Sequence, residues 1–421
     1  MQQPTNPPPA IDGLDRPATV FLSYARRDAD AVKDIQLRLK VRGIQCWRDV
    51  DDMLVGVHTE TEIVRAIEHD ADAVALFLTP SFLQSDFIWR VEVPAALRRQ
   101  KADPHFHIIP ILLGVSFAEV RKFCYNRNLT DVSGFNGLLL SGNGVVLTPE
   151  EENKKRNEAA RRILQAAFAL RLRRNNADRN YEPTLFLRTF VFAPATTSLD
   201  LFLDWLQLMY EKEQTATLQE WDEILWPALL DVKHIISEKV SSQRIHLYVK
   251  GILPVAIALG FVFRESARIT LLLEGQKETW STETSPSEKE PLGNEWIYHN
   301  QGEPHVAVIE VATSRSTKQG VAATLLKTGL TPEYHIRLTT SEFSRESVRD
   351  AAHARAIARQ MSQICQNLCD ERGVTHMHLF VAIPVELAVL IGHQLNALCP
   401  ITLYEFNSDE KVYQPIGTIR K

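Results

Sequence analysis

Apolar runs of strand length alternate with stretches of helical period through the first 175 residues, and this alternation limits what the chain can become more than any other feature. Ala18-Thr-Val-Phe-Leu-Ser23 reads as a buried strand, and Asp28 to Arg42 has helical spacing that stops at Gly43, a natural C-terminal signal. Ile44-Gln-Cys-Trp-Arg48 reads as a second strand, followed by an acidic loop from Asp49 to Gly56 and a helix ending near Glu68. Ala73-Val-Ala-Leu-Phe-Leu78 and His107-Ile-Ile-Pro-Ile-Leu-Leu113 continue the series, and a long helix over 148–174 closes it. Strands and helices alternating at this spacing predict an α/β fold whose parallel sheet is covered on both faces.

The second half carries a weak internal repeat. His246-Leu-Tyr-Val-Lys-Gly-Ile-Leu-Pro-Val-Ala-Ile-Ala-Leu-Gly260 parallels His378-Leu-Phe-Val-Ala-Ile-Pro-Val-Glu-Leu-Ala-Val-Leu-Ile-Gly392. Each segment opens as a strand, turns through a Pro into an apolar helix, and reaches a Gly fourteen residues after its His. A strand follows each copy, Arg268-Ile-Thr-Leu-Leu-Leu273 and Ile401-Thr-Leu-Tyr-Glu-Phe406. Any two strand–helix–strand units share part of this pattern, but the matched turn and Gly favour two copies of one Rossmann-like unit. The polar stretch 274–304 between them reads as a long loop or a hairpin.

Composition narrows the class. A net charge of −5 over 421 residues lacks the basic surplus of a duplex nucleic-acid binder. The basic run from Lys154 to Arg174 reads as a solvated helix face. The five cysteines, Cys46, Cys124, Cys365, Cys369 and Cys399, do not space as a disulfide framework or as a metal site, and Cys365 and Cys369 read as core residues of a helix. The Pro-rich start has neither a basic nor an apolar segment, and the longest apolar run, Gly251 to Phe263, is too short to cross a bilayer, so a cytoplasmic protein without membrane contact is expected. The expected organisation is a disordered or loosely docked N-terminus over 1–17, a first domain over 18–172, a linker over 173–183, and a second domain over 184–421 with halves at about 184–290 and 305–421.

The residue that most suggests chemistry is Glu92, early on the helix that follows strand 73–78 and flanked by Phe87 and Trp89. In an open α/β sheet, ligands bind beyond the carboxyl ends of the strands, which is where this Glu would stand. Taken alone, a Glu on a helix is usually a solvated charge.

The first half resembles a TIR domain over roughly 18–172. The resemblance rests on Val20-Phe-Leu-Ser-Tyr24 followed by Arg26, Arg27 and Asp28, on Gly43-Ile-Gln-Cys-Trp-Arg-Asp49, on the loop ending at Gly56, and on Ser81, Phe82, Leu83, Ser85 and Phe87 leading to Glu92. It implies a flavodoxin-like parallel sheet and, with Glu92 as the catalytic residue, cleavage of the nicotinamide–ribose bond of NAD+. Many enzymatic members hold the aromatic four residues before the Glu. Here Phe87 is five before it and Trp89 three. Most glycosidases need a second carboxyl to protonate the leaving group, but nicotinamide departs neutral, so one carboxylate suffices to stabilise the oxocarbenium-like transition state. The resemblance also implies that Tyr24, Arg26, Trp47, Asp49 and Phe87 line the substrate cleft. Trp47 reads equally as a buried strand aromatic, and Asp49 with Asp51 and Asp52 as turn residues.

The second half resembles, over about 180–421, a SAVED domain, itself two fused CARF-like units. That family binds cyclic oligonucleotide messengers, and position places the contacts on turns after strands: Lys250 and Gly251, then Thr313, Ser314, Arg315 and Ser316, then Pro384 and Glu386. Backbone amides at strand-to-helix turns favour phosphate. The run Ser314 to Lys318 adds hydroxyls and positive charge, though it reads nearly as well as an exposed loop with an N-capping Ser. The pair of resemblances implies an antiphage effector of the CBASS type, an NAD+ hydrolase switched on by a cyclic oligoadenylate. Among cyclic oligoadenylates cyclic tri-adenylate is expected, because two fused units offer pseudo-symmetric contacts, with a larger ring as the alternative. Assembly into a head-to-tail homo-oligomer is expected to complete the NAD+ sites. No metal and no resident cofactor is expected. The alternative is a non-enzymatic TIR adaptor gated by the same sensor.

Overall fold

The computed structural model describes residues 16–47, 59–142, 147–175, 177–192, 198–209, 215–275, 278–288, 292–299, 301–344, 346–396 and 399–420. Residues 1–15 of the expected N-terminal segment and the whole acidic loop from Asp49 to Gly56 lie outside the described residues. Contacts divide the chain into two units, Met1–Leu185 with Pro194–Leu203, and Phe186–Ala193 with Asp204–Lys421.

In the first unit, β1 (Thr19–Ser23), β2 (Gln45–Trp47), β3 (Ala73–Leu78), β4 (His107–Leu113) and β5 (Leu138–Ser141) form a sheet of order β2-β1-β3-β4-β5. Every neighbouring pair is parallel. This is the flavodoxin-like order, whose strand sequence reverses between β1 and β3 and opens a crevice there. Strand β3 is buried along its whole length, which is why its sequence is continuously apolar instead of alternating. Helix Ala29–Lys40 ends just before Gly43, whose φ of 93° suits only a residue without a side chain. Helix Phe117–Arg127 and strand β5 were not anticipated by the sequence pattern. The helix opens on a capping box between Ser116 and Glu119, and that signature is legible in Ser-Phe-Ala-Glu.

The helix expected to carry Glu92 is in two parts. Residues Ile88–Glu92 form one π turn, closed by the Val93 amide donating to the Ile88 carbonyl, and Val93–Ala102 continue as α-helix with Pro94 in the first turn. Glu92 is therefore the last residue of a wide turn and not an early residue of a regular helix.

The second unit holds two further sheets. Strands β6 (Thr184–Arg188), β7 (Leu201–Asp204), β8 (Arg244–Lys250), β9 (Thr270–Glu274) and β10 (Thr279–Ser281) have the order β10-β9-β8-β6-β7, and the unit division falls within β6 and β7. Strands β11 (Gly293–Tyr298), β12 (Glu303–Ala312), β13 (Pro332–Thr339), β14 (His376–Ala382), β15 (Ile401–Asn407) and β16 (Val412–Ile419) have the order β11-β13-β12-β14-β15-β16. The stretch expected to be a loop or a hairpin supplies β10 and β11, which do not pair with each other: β10 runs antiparallel to β9, and β11 antiparallel to β13.

The repeat seen in the sequence is real in three dimensions. Helices Leu253–Val262 and Val385–Gln394 follow β8 and β14, and they pack against one another. A methyl on Gly260 would stand 2.0 Å from the Val389 carbonyl oxygen, and one on Gly392 would stand 2.0 Å from that of Ile257. Each Gly thus meets the residue three before the other, the reciprocity that a two-fold relation between two copies produces. The matched glycines are where the helix backbones touch.

Candidate functional site

In the first unit a cleft of about 900 Å³ opens at the carboxyl edge of the sheet, within the size range of small-molecule sites. One wall is the chain leaving β1, Tyr24 to Arg27. The other is the chain leaving β3, with Ser81, Gln84, Ser85, Phe87, Ile88 and Glu92, and Thr59, Glu60 and Ile63 complete it. The crevice that strand order alone would place between β1 and β3 is thus present.

Glu92 lines this cleft yet is only 6% exposed. The hydroxyl of Ser23, last residue of β1, donates to its Oε2 at 2.6 Å. The π turn accounts for the five-residue interval to Phe87. A turn closed from residue i to i+5 brings positions five apart to one face, as an α-helix does for positions four apart. Phe87 and Glu92 accordingly line the same cavity. Nearby, Thr79 caps the turn after β3 by accepting from the Phe82 amide, and its hydroxyl donates to Asp28, which ties the two walls together.

In the second unit the turns singled out by sequence have unequal surroundings. Lys250 Nζ lies 5.4 Å from the centre of the Phe192 ring, and Thr189 Oγ1 accepts from the Ile252 amide just beyond Gly251. After β12, Thr313 is buried, with no hydrogen-bond partner for its hydroxyl among the described residues. Ser314 donates its amide to the Ala382 carbonyl, Ser316 is exposed, and the Arg315 guanidinium lies 4.7 Å over the Phe406 ring. Thr317 turns inward to Glu310, whose carboxylate also meets His335 Nε2 at 2.6 Å and Arg337 Nε at 2.9 Å. Pro384 is the N-cap residue of helix Val385–Gln394, and Glu386 stands in its first turn.

Glu405, on β15, was not anticipated. Burial pushes its carboxyl up to about 7, against the pull of the Phe406 amide, of Arg315 and of the amide of Leu253, first residue of the other copy's helix. The charges that act on Glu405 thus come from both the Arg315 turn and the start of the helix that follows Lys250 and Gly251. Its one sequence signal is a lone acid in the apolar run Ile401-Thr-Leu-Tyr-Glu-Phe406.

Residues 20–137 match the family model of the TIR domain, and residues 229–419 match that of the SMODS-associated and fused to various effectors sensor domain, SAVED. The chain carries a TIR domain followed by a SAVED domain. The Cap4 SAVED/CARF-domain containing receptor of Acinetobacter baumannii has a similar fold in complexes with the cyclic trinucleotides 3'3'3'-cAAA and 2'3'3'-cAAA. Each aligns with a TM-score of 0.51 at 14% identity, covering 83% of this chain and 88% of that one. Among curated proteins none matches.

Of the residues expected in the TIR cleft, the structure gathers Tyr24, Arg26, Phe87 and Glu92. Trp47 is half-buried, and its ring stacks on buried Phe21 with centroids 4.8 Å apart. Trp89 is buried against Phe82 and Phe123. Asp49 lies outside the described residues. In the SAVED domain, Glu386 sits beside Gly275 after β9, 3.8 Å from where a methyl on that Gly would be. No group of acids, histidines and cysteines able to hold a metal occurs among the described residues, and no described helix is long and apolar enough to cross a membrane.

Proposed function

We propose that the chain is an NAD+ glycohydrolase switched on by a cyclic oligonucleotide, most simply cyclic tri-adenylate, and that it acts as an antiviral effector in the cytoplasm. The observation that carries this reading is Glu92: a carboxylate buried at the switch-point crevice of a TIR sheet, on one face with Phe87 and across from Tyr24 and Arg26. Phe87 and Tyr24 offer aromatic faces to nicotinamide or adenine, and the exposed Arg26 suits the pyrophosphate. The C–N bond to nicotinamide breaks with its electron pair going to the ring nitrogen, which leaves neutral. The positive charge left on the ribose is stabilised by Glu92 across a short, poorly solvated distance. Water then adds to the anomeric carbon and gives up a proton, yielding ADP-ribose, nicotinamide and H+. No acid for the leaving group is required, which is why a single carboxylate serves.

The sensing half of the proposal rests on the SAVED domain, on the cyclic trinucleotides carried by the receptors of similar fold, and on the reciprocal packing of its two copies. Two helix N-termini related by a pseudo-two-fold suit a ring of alternating sugars and phosphates. Ring binding would drive SAVED domains to associate head to tail, with a neighbour completing each TIR site.

NAD+ loss in the full chain, followed with and without a panel of cyclic oligonucleotides, tests the proposal. Cleavage is expected with one ring and not without it. Glu92→Gln should lower turnover about a hundredfold or more while ligand-driven assembly persists in light scattering. Loss of NAD+ at the original rate in that variant would refute the role of Glu92. Absence of cleavage with a ring that binds would favour the adaptor reading.

A further inference from the structure

We infer that Ser23 is a positioning residue for Glu92, holding the carboxylate in the orientation the substrate meets; this rests on the reading of the cleft as a glycohydrolase site. Ser23 is 1% exposed at the last position of β1, and its hydroxyl donates to Glu92 Oε2 at 2.6 Å, a contact between residues sixty-nine apart in sequence. A buried hydroxyl needs an acceptor, and a short bond to a carboxylate is the strong kind. The partners reach each other from different elements. Ser23 is held in the ladder of β1 to β3, opposite Leu76, whereas Glu92 ends a single π turn.

A glutamate has three rotatable bonds, and the carboxylate of Glu92 borders an open cleft. A donor held in place by the sheet narrows the orientations the carboxylate plane can take before substrate arrives. Ser23 supplies such a donor from the end of an internal strand of the sheet, so that the π turn contributes the carboxylate and β1 a fixed point for its orientation. Electrostatic stabilisation of a forming cation works best when the charge is already in place. The same bond explains why a Ser ends a strand whose other residues, Thr19-Val-Phe-Leu22, are buried against the core.

The test uses the full chain with its activating ring. Ser23→Ala should lower kcat roughly 10–100-fold, with KM for NAD+ changed less than about twofold, since a misplaced catalytic group slows the chemical step more than binding. Ser23→Thr, which keeps the hydroxyl and suits a strand, should recover most of the rate. Melting curves of both variants show whether the fold is retained. Wild-type kcat in Ser23→Ala, or an equal loss in Ser23→Thr at an unchanged melting temperature, would overturn the inference. A crystal structure of Ser23→Ala provides a readout free of turnover: the Glu92 carboxylate is expected to rotate away from the end of β1, and a carboxylate that stays in place overturns the inference even if NAD+ proves not to be the substrate. Failure of the glycohydrolase reading would appear separately, as absence of cleavage in the unmodified chain.

Discussion

Glu310, fully buried, and Glu405, half-buried, are carboxylates of the same domain whose partners differ. Burial penalises the charged form of both Glu310 and Glu405. At Glu310 the hydrogen bonds from His335, Thr317 and Arg337 outweigh burial and hold the carboxyl below the usual range. At Glu405, backbone amides and Arg315 only partly offset burial, and the group titrates near neutrality, at about 7. The folded chain therefore binds the Glu405 proton more tightly than the unfolded chain. The stability this contributes is complete below the ordinary carboxylate range and is lost as pH rises through about 7. Above that pH a negative charge also stands beside Arg315, where the proposal places an anionic ring. Ring affinity should weaken as pH rises from about 6 to about 8, and Glu405→Gln should flatten that slope and melt higher than the parent at about pH 8. Titration calorimetry and melting curves across this range check both, and an unaltered slope in the variant would remove Glu405 from the site.

At the scale of elements, the wide turn before Val93 decides whether the cleft can work. Adding one residue beyond what a turn accommodates rotates the downstream helix by about 100° relative to the chain upstream, the angle per residue of an α-helix. Inserting an alanine after Arg90 should therefore part Phe87 from Glu92 and abolish NAD+ cleavage, whereas deleting Arg90 leaves the two four residues apart, on one face of a regular α turn, and should spare it. Arg90→Ala keeps the length of the turn and removes only an exposed ion pair with Glu60, worth about 0–1 kcal/mol, so it should retain activity. An active insertion variant would show that the placing of Phe87 and Glu92 on one face is incidental. Much of this element was readable: the strand before it, the Pro–Ser turn, and the unusual interval between Phe87 and Glu92. The interval could be counted in the sequence, but its meaning depends on whether the backbone closes four or five residues back, and side-chain periodicity does not fix that.

At the scale of the whole molecule, the proposal joins a sensor to an enzyme, and the two should separate by mutation. Arg315→Ala removes a cation from the SAVED turn and touches nothing in the TIR cleft. It should raise the ring concentration needed for half-maximal NAD+ loss by roughly tenfold, in the range of one charge-assisted contact, while leaving the saturated rate unchanged. Light scattering should show assembly shifting to higher ring concentration in parallel. A lower saturated rate with unchanged ring dependence would mean that Arg315 acts on something other than sensing.

The sequence by itself determined the parts. Continuous apolar runs mark the central strands, Gly43 marks a helix end, and the paired intervals from His246 to Gly260 and from His378 to Gly392 mark a duplicated unit. These are local signals, set by backbone sterics and by the period of side chains along one element. The tertiary structure decided how the parts meet. It matched Gly260 and Gly392 as reciprocal contact points, stacked Trp47 on Phe21, set Thr317, His335 and Arg337 around Glu310, and brought the Ser23 hydroxyl to Glu92. Each of these is a contact between residues distant in sequence. Which partner a buried group finds depends on how strands are ordered and how helices cross, and no periodicity along a single chain segment carries that information.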